Sequence, residues 1–520
     1  MHLLTIVAFG LLFWQAESSL RWTGLDSASF LWTFLLVLAQ PIALVSLARL
    51  VVRRTRQFLA GPPEQSARAP QFYHRAIFSL RLLLLAGFAA TVFATQWPTW
   101  FAFTDVHPAL EVIGDFGVLS LYFGGAIAIW VAVFPLERDL RIEVPPWNND
   151  QAASKPRWTL RNYLDFNIRH HLLIVAVPLA IILLGSNITR GYQHELERFF
   201  GWVWAPELVL GAVAMSVFVF APGMLRFIWK TRQLEPGPLR NRLERVCDRI
   251  GLRCRGLLVW QTDGLMINAA VMGVIAPVRY VLLSDALLAS MTPQQIEAVF
   301  GHEAGHVRHR HIQHFLAFAF IGWLLVAGLM EGLAQLAKSG VGNGNLSLTA
   351  IEFVGIAATV LFWGIGFGWV SRRFERQADL FGARCISPDS SGCAGPCSLH
   401  GDESNPHGSK DKDRLCTTGA AVFASALDRV AALNGIAREE YSWRHSSIGH
   451  RVRSLARLAG DPVAARRFEH RLRQLQTCLW TMAIFGAVAC VGYWVAVPEP
   501  AILQLQAKAT EYRNHNSNSQ

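Results

Sequence analysis

The chain has 520 residues, 52% of them hydrophobic and only 16% charged, with 18 Trp, 32 Phe and a net charge of +11. A soluble globular chain carries about 25% charged residues, so this composition excludes an ordinary water-soluble enzyme and points to a membrane protein. The positive balance reads as a topology and anionic-lipid signal; no RNA- or DNA-binding motif accompanies the basic residues, and nucleic acid is not an expected partner.

Apolar stretches of spanning length recur near 2–16, 28–50, 77–97, 112–134, 170–187, 206–229, 313–337, 349–370 and 476–497. The first, MHLLTIVAFGLLFWQAESS, is short and lacks a basic leader, and reads either as a transmembrane helix or as a cleaved signal peptide. The connection Arg49 to Arg75 holds six Arg, and Leu136 to Arg169 holds six Lys or Arg, whereas the connections between them are poor in both. Cytoplasmic loops collect Lys and Arg, so the second, fourth, sixth and eighth loops are expected inside. Residues 1–229 thus read as an N-terminal membrane module of about six helices without obvious chemistry. Arg81, Asp115 and Glu352 fall inside spans, where ionisable groups are expensive; they would line a chamber or pair between helices.

A polar block opens at Lys230. A helix-like LRNRLERVCDRIGLRCRG is followed by the strand-like GLLVWQ and INAAVMGVIAPVRYVLLSD. MTPQQIEAVFGHEAGH then starts a helix, with Thr292 as N-cap, Pro293 in the first turn and Gln295 closing a capping box. The block 230–475 is interrupted by a transmembrane hairpin at 313–370 and by a polar, Cys-rich insertion at 386–416; 476–520 is a last span and a polar tail. Cys385, Cys393, Cys397 and Cys416 fit no standard zinc ribbon. The sequons at Asn187 and Asn345 fall in expected outside loops.

The chemistry concentrates in FGHEAGHVRHRHIQHFLAFAF, Phe300 to Phe320. In HEAGH, His302 and His306 are four residues apart and share one helix face, a spacing that lets two imidazoles bind one metal ion. Glu303 is placed to take a proton from water rather than to ligate. A catalytic zinc needs a third protein ligand and an open position. Position 312 is Ile, so the pattern with a third histidine ten residues on fails. His309, His311 and His314 read as interfacial residues, with Arg308 and Arg310 facing lipid. Glu375 and Asp379 of SRRFERQAD share a helix face, and the hairpin between the two segments should bring them beside HEAGH.

The combination of HExxH, a transmembrane hairpin and S-R-x-x-E-x-x-A-D resembles the integral-membrane zinc peptidases that include the type I CaaX prenyl protease and bacterial HtpX. INAAVMG resembles that family's Asn-Ala strand. WRHSSIGHRVRSL resembles its His-Pro…Arg segment, with Ser446 in place of Pro. The resemblance implies one Zn2+ held by His302, His306 and Glu375, Glu303 as general base, and Asp379 orienting a ligand histidine. It further implies His445 as a donor to the developing oxyanion, Arg451 holding that segment or the substrate, and Asn268 binding substrate from an edge strand. The expected fold is a mainly α polytopic membrane protein of about nine transmembrane helices, with a small α+β gluzincin-like peptidase block inserted between spans. The expected activity is zinc-dependent endoproteolysis in membrane-protein quality control or processing, on protein substrates in the bilayer or carrying a lipid, at the cytoplasmic face. CaaX-type processing of lipidated C-termini and a non-enzymatic metal-binding scaffold are the alternatives.

Overall fold

The computed structural model describes residues 2–17, 30–102, 107–140, 159–264, 266–338, 348–386, 415 and 417–496. They fall into two compact units, one within Met1–Glu143 and Ala153–Thr231, the other within Val144–Ala152 and Arg232–Gln520.

The first unit is all helix: α1 (His2–Glu17), α2 (Phe30–Leu59), α3 (Pro63–Ala94), α4 (Pro108–Asp139), α5 (Leu160–Asn167), α6 (Ile174–Gly191), α7 (Gln193–Phe200) and α8 (Ala205–Ile228). A π-turn at Ile168–Leu173 joins α5 to α6, so Leu160–Gly191 is one apolar rod. Leu84, Phe88, Leu119 and Tyr122 form the centre of its core. Asp115 and Asn187 lie beside each other on two spans. Asn187 is therefore a buried helix residue rather than a loop sequon; Asn345 and the side chain of Glu352 lie outside the described residues.

Among the described residues, eight helices are long and apolar enough to cross a bilayer, one fewer than the nine expected. The difference is α1, whose 16 residues reach about 24 Å at 1.5 Å per residue, short of a hydrocarbon core about 30 Å thick.

The second unit pairs a small sheet with helices. It contains α9 (Pro238–Ile250), β2 (Gly256–Trp260), β3 (Ala269–Met272), β4 (Tyr280–Ser284), α10 (Asp285–Ser290) and α11 (Pro293–Arg308), with β1 (Thr231–Gln233) at its entrance. The helices α12 (His311–Lys338), α13 (Leu348–Leu361), α14 (Gly368–Cys385), α15 (Thr417–Leu433), α16 (Ile448–Gly460) and α17 (Pro462–Ala496) follow. The sheet runs in the order β1-β2-β4-β3, with β2 parallel and β3 antiparallel to β4. All five β4 residues are buried, as a central strand covered on both faces requires. The strand β3 is an edge. Most of the insertion 386–416, with Cys393, Cys397 and Cys416, lies outside the described residues.

The helix α11 begins where its sequence signals it: Thr292 accepts from the Gln295 N–H, and the Gln295 side chain accepts from the Thr292 N–H. Its most intimate neighbour is α14, and small residues make that contact. A methyl group built on Gly305 would lie 3.1 Å from the Ala378 Cα, and one on Gly301 would lie 2.8 Å from the Cys385 Cβ and 3.1 Å from the Gly382 Cα. From the other side, a methyl on Gly382 would lie 2.9 Å from the His302 backbone nitrogen. Gly301 and Gly305 on one helix thus face Ala378 and Gly382 on the other, the small-xxx-small spacing that lets backbones approach.

Because a backbone atom cannot swing aside as a side chain can, Gly382→Ala is expected to destabilise this unit by about 1–3 kcal/mol. Denaturant unfolding of the detergent-solubilised variant measures it; an unchanged midpoint would refute the close crossing.

Candidate metal centre

The crossing brings two faces together. His302 and His306 project from α11 toward Glu375 and Asp379 on α14. The two Nε2 atoms lie 3.3 Å apart, His302 Nε2 is 3.5 Å from Glu375 Oε2, and His306 Nε2 is 3.7 Å from Glu375 Oε1. A metal bound tetrahedrally at 2.0–2.1 Å has donor atoms separated by about 3.3 Å. The donor set and its spacing therefore fit a divalent cation, and these three form the one such cluster among the described residues.

The other nitrogen of His302, Nδ1, is 3.0 Å from Asp379 Oδ1. Arg451 donates to the same carboxylate from Nε at 2.9 Å and from Nη2, and its Nη2 is 3.8 Å from Glu375 Oε2. Arg451 is 7% exposed. It thus faces the Asp379 and Glu375 carboxylates from within the domain. Its helix, α16, is capped by Ser447, which accepts from the His450 N–H. His445 lies in the loop before that cap, half-exposed, with Nδ1 3.0 Å from Glu375 Oε1. Arg372 anchors the loop by donating to the Trp443 carbonyl at 2.7 Å.

Glu303 sits beside the histidines on the side of the sheet edge. The Ser284 N–H donates to the Asn268 carbonyl at 3.0 Å, so the antiparallel alternation turns the N–H groups of Ala269 and Val271 away from β4. The Val271 N–H faces the Glu303 carboxylate and favours its ionised form. Asn268 lies just before β3, exposed, its Oδ1 accepting from the Ala269 N–H at 2.9 Å.

Burial and the neighbouring charges together separate these groups electrostatically. It raises the Glu303 carboxyl to about 7, against the pull of His302. It holds His306 neutral, down at about 3, assisted by the neighbouring His302. For His302 burial acts in the same direction, but Asp379 and Glu375 outweigh it and raise the imidazole to about 10.

Two of the histidines expected to be interfacial, His311 and His314, are instead packed inside the protein. His311 and His314 are 1% and 6% exposed, because the helix breaks at His309 and Arg310, with Arg310 in the left-handed region at φ 55°. The break turns His311 back toward His306, its Nδ1 2.8 Å from His306 Nδ1. His311 and its partner Gln377 were missed by sequence reasoning. The signal was a histidine placed at the start of a second helix, which reads as interfacial unless the break is known.

The family description "Peptidase family M48" matches residues 234–456, from the entrance of the sheet to beyond Arg451. Residues 234–456 are thus similar to that family. Among curated proteins, "Protease HtpX homolog" of Thermoplasma acidophilum is 27% identical over 233 residues, 42% of this chain and 70% of that protein. The protein of the same name from Aeropyrum pernix is 26% identical over 179 residues, 34% and 54% of the two chains. "CAAX prenyl protease 1 homolog" of Arabidopsis thaliana is 27% identical over 195 residues, 35% and 44%. The chain therefore spans between 44% and 70% of the length of these relatives. A crystal structure of S. mikatae Ste24p aligns with 82% of this chain and 99% of its own, at 16% identity and a TM-score of 0.46. The matched region holds the HEAGH helix, the edge strand, α14 and the His445–Arg451 segment, and the chain carries several helices long and apolar enough to span a bilayer, as an integral, multi-pass membrane protein does.

A cation entering among His302, His306 and Glu375 must displace the proton that His302 holds below about 10. Its affinity is accordingly expected to rise about tenfold per pH unit between pH 7 and 9, since the ligand must be deprotonated. Zinc competition titrations of the detergent-purified chain measure the slope, which Asp379→Asn should flatten. A pH-independent affinity in the wild type would contradict the charge arrangement described.

Proposed function

We propose that this protein is a membrane-embedded zinc endopeptidase acting at the cytoplasmic face. The observation that carries the reading is the convergence of His302, His306 and Glu375 on one point, with the Glu303 carboxyl beside it and the terminal strand β3 of the sheet alongside. Two imidazoles and a carboxylate suit zinc. Bound there, the ion would supply Lewis acidity toward a peptide carbonyl and ease the ionisation of water.

The chain's own residues would do the rest. An extended peptide would add to the outer edge of β3, the β-augmentation mode, by pairing with the backbone groups of Ala269 and Val271 that face away from β4. Asn268 would hold the peptide at the start of that edge. Glu303, tuned by burial toward neutrality of pH, would accept a proton from the attacking water and pass it to the leaving amine. His445 stands half-exposed at the open side of the cluster and would donate to the carbonyl oxygen as charge develops on it. Asp379 would orient His302 through Nδ1, and Arg451 would keep both carboxylates ionised and in place.

The Lys- and Arg-rich connections support the cytoplasmic side. Membrane proteins and their extended segments are the substrate class favoured here. A lipidated C-terminus is the competing class, favoured by the likeness to a protein named a CAAX prenyl protease homolog.

Wild type, Glu303→Gln and His302→Ala, purified in detergent, test the reading by zinc content and by cleavage of casein and of a prenylated peptide. Wild type and Glu303→Gln are expected to carry equal zinc, with casein cleavage lost by a factor of at least about 10² in the variant, a general-base contribution; His302→Ala should lose both. Cleavage of the prenylated peptide alone would move the assignment to lipidated tails. Full activity in Glu303→Gln would remove the mechanism, and zinc without any hydrolysis would leave a metal-binding scaffold.

A further inference from the structure

The metal-facing nitrogen of His306 is Nε2, since it is the atom that approaches His302 Nε2 and Glu375 Oε1 at 3.3 and 3.7 Å. A neutral imidazole that ligates through Nε2 carries its proton on Nδ1 and needs an acceptor there. The group 2.8 Å away is His311 Nδ1. To accept, His311 must hold its own proton on Nε2, and that atom is 2.9 Å from Gln377 Oε1. The Gln377 amide is oriented in turn: its oxygen also accepts from Gln476 Nε2 at 3.3 Å, and its nitrogen faces His309 Nδ1 at 3.1 Å. With His306 ligating through Nε2, every donor in this chain meets an acceptor, running outward from His306.

The surroundings make the sense hard to reverse. His311 is 1% exposed and Gln377 5%, so no water competes freely for either. The His311 ring lies flat on Phe374, with ring centroids 4.3 Å apart and planes within 3°, which fixes its rotamer. The geometry also depends on the helix break. Residues five apart lie about 140° apart round an unbroken helix and would not meet; with Arg310 at φ 55°, His311 opens α12 facing back into α11.

We propose that His311, backed by Gln377, is a positioning residue for the metal site: it accepts the Nδ1 proton of His306 and thereby holds that histidine in the tautomer and orientation that present Nε2 to the ion. The proposal rests on the reading of His302, His306 and Glu375 as ligands. Asp379 stands in the matching place behind His302, so each ligand histidine would have its own acceptor, one a carboxylate and one a neutral imidazole.

The test compares zinc affinities by chelator competition on the full-length chain in detergent, for wild type, Glu375→Ala, His311→Phe, His311→Asn and Gln377→Leu. His311→Phe keeps the ring stacked on Phe374 and removes the acceptor; a loss of about 10–100-fold is expected, as for other groups behind metal ligands, with the thermal unfolding of the metal-free protein unchanged. His311→Asn places an amide oxygen near the former Nδ1 and should restore affinity to within about threefold of wild type, which a mere packing role would not do. Gln377→Leu should weaken binding less than His311→Phe. Affinity in His311→Phe within twofold of wild type, or an equal loss in His311→Asn, would overturn the proposal while Glu375→Ala still reports on the site. If wild type takes up no zinc, the ligand reading falls and the positioning role with it. Should His311→Phe fail to fold, His311→Asn and Gln377→Leu decide the matter by the same affinities.

Discussion

The close crossing of two helices is the constraint on which the site depends. Gly301 and Gly305 on α11 and Ala378 and Gly382 on α14 remove the side chains that would hold the backbones apart, leaving contacts near 3 Å for any added methyl. The residues beside those glycines are the ones with chemistry. With the helices this close, imidazoles from one and carboxylates from the other reach a common point; an added methyl or two at the seam would separate donors that a metal needs within about 3.3 Å of one another. Packing thus sets coordination geometry directly.

Bringing Glu375 and Asp379 together in a buried place creates an electrostatic problem that the rest of the domain answers. Two carboxylates withdrawn from water are costly unless paired. Arg451, itself buried, reaches both, His302 faces both, and His445 meets Glu375 from the open side. The segment carrying His445 and Arg451 comes from far along the chain, and its capping by Ser447 and anchoring through Trp443 make sense as the means of delivering those charges. Glu303 is treated oppositely. Burial outweighs the pull of His302 and leaves it near neutrality of pH, the range that suits a group exchanging protons.

The break between α11 and α12 is the second device. A continuous helix from HEAGH into the membrane would carry His309, His311 and His314 round to lipid or solvent. The left-handed turn at Arg310, a conformation that a non-glycine residue adopts at some cost, redirects the chain so that α12 leaves at a new angle while His311 packs behind His306. The foot of the membrane hairpin therefore supplies contacts to the site from both of its ends: Glu375, Gln377 and Asp379 from one, His311 from the other.

Much of this was legible in the residues. The HEAGH spacing, the Thr292 cap, the pairing of Glu375 with Asp379 on one face and the hairpin that reunites them are local patterns, and local patterns follow from helical periodicity and apolar length. The same rules counted nine spans where eight helices of spanning length are found among the described residues, α1 being described over only 16 residues. They also placed His311 and His314 at an interface, because periodicity assumes an unbroken helix. Sequence by itself determined which elements form and which residue types they carry. Only the tertiary structure decided that Arg451 lies under the carboxylates, that Val271 meets Glu303 and that His311 stands behind His306. Those contacts join segments whose approach depends on a single backbone turn and on four small residues at a seam, and distance across a packed interface is not a function of spacing along the chain.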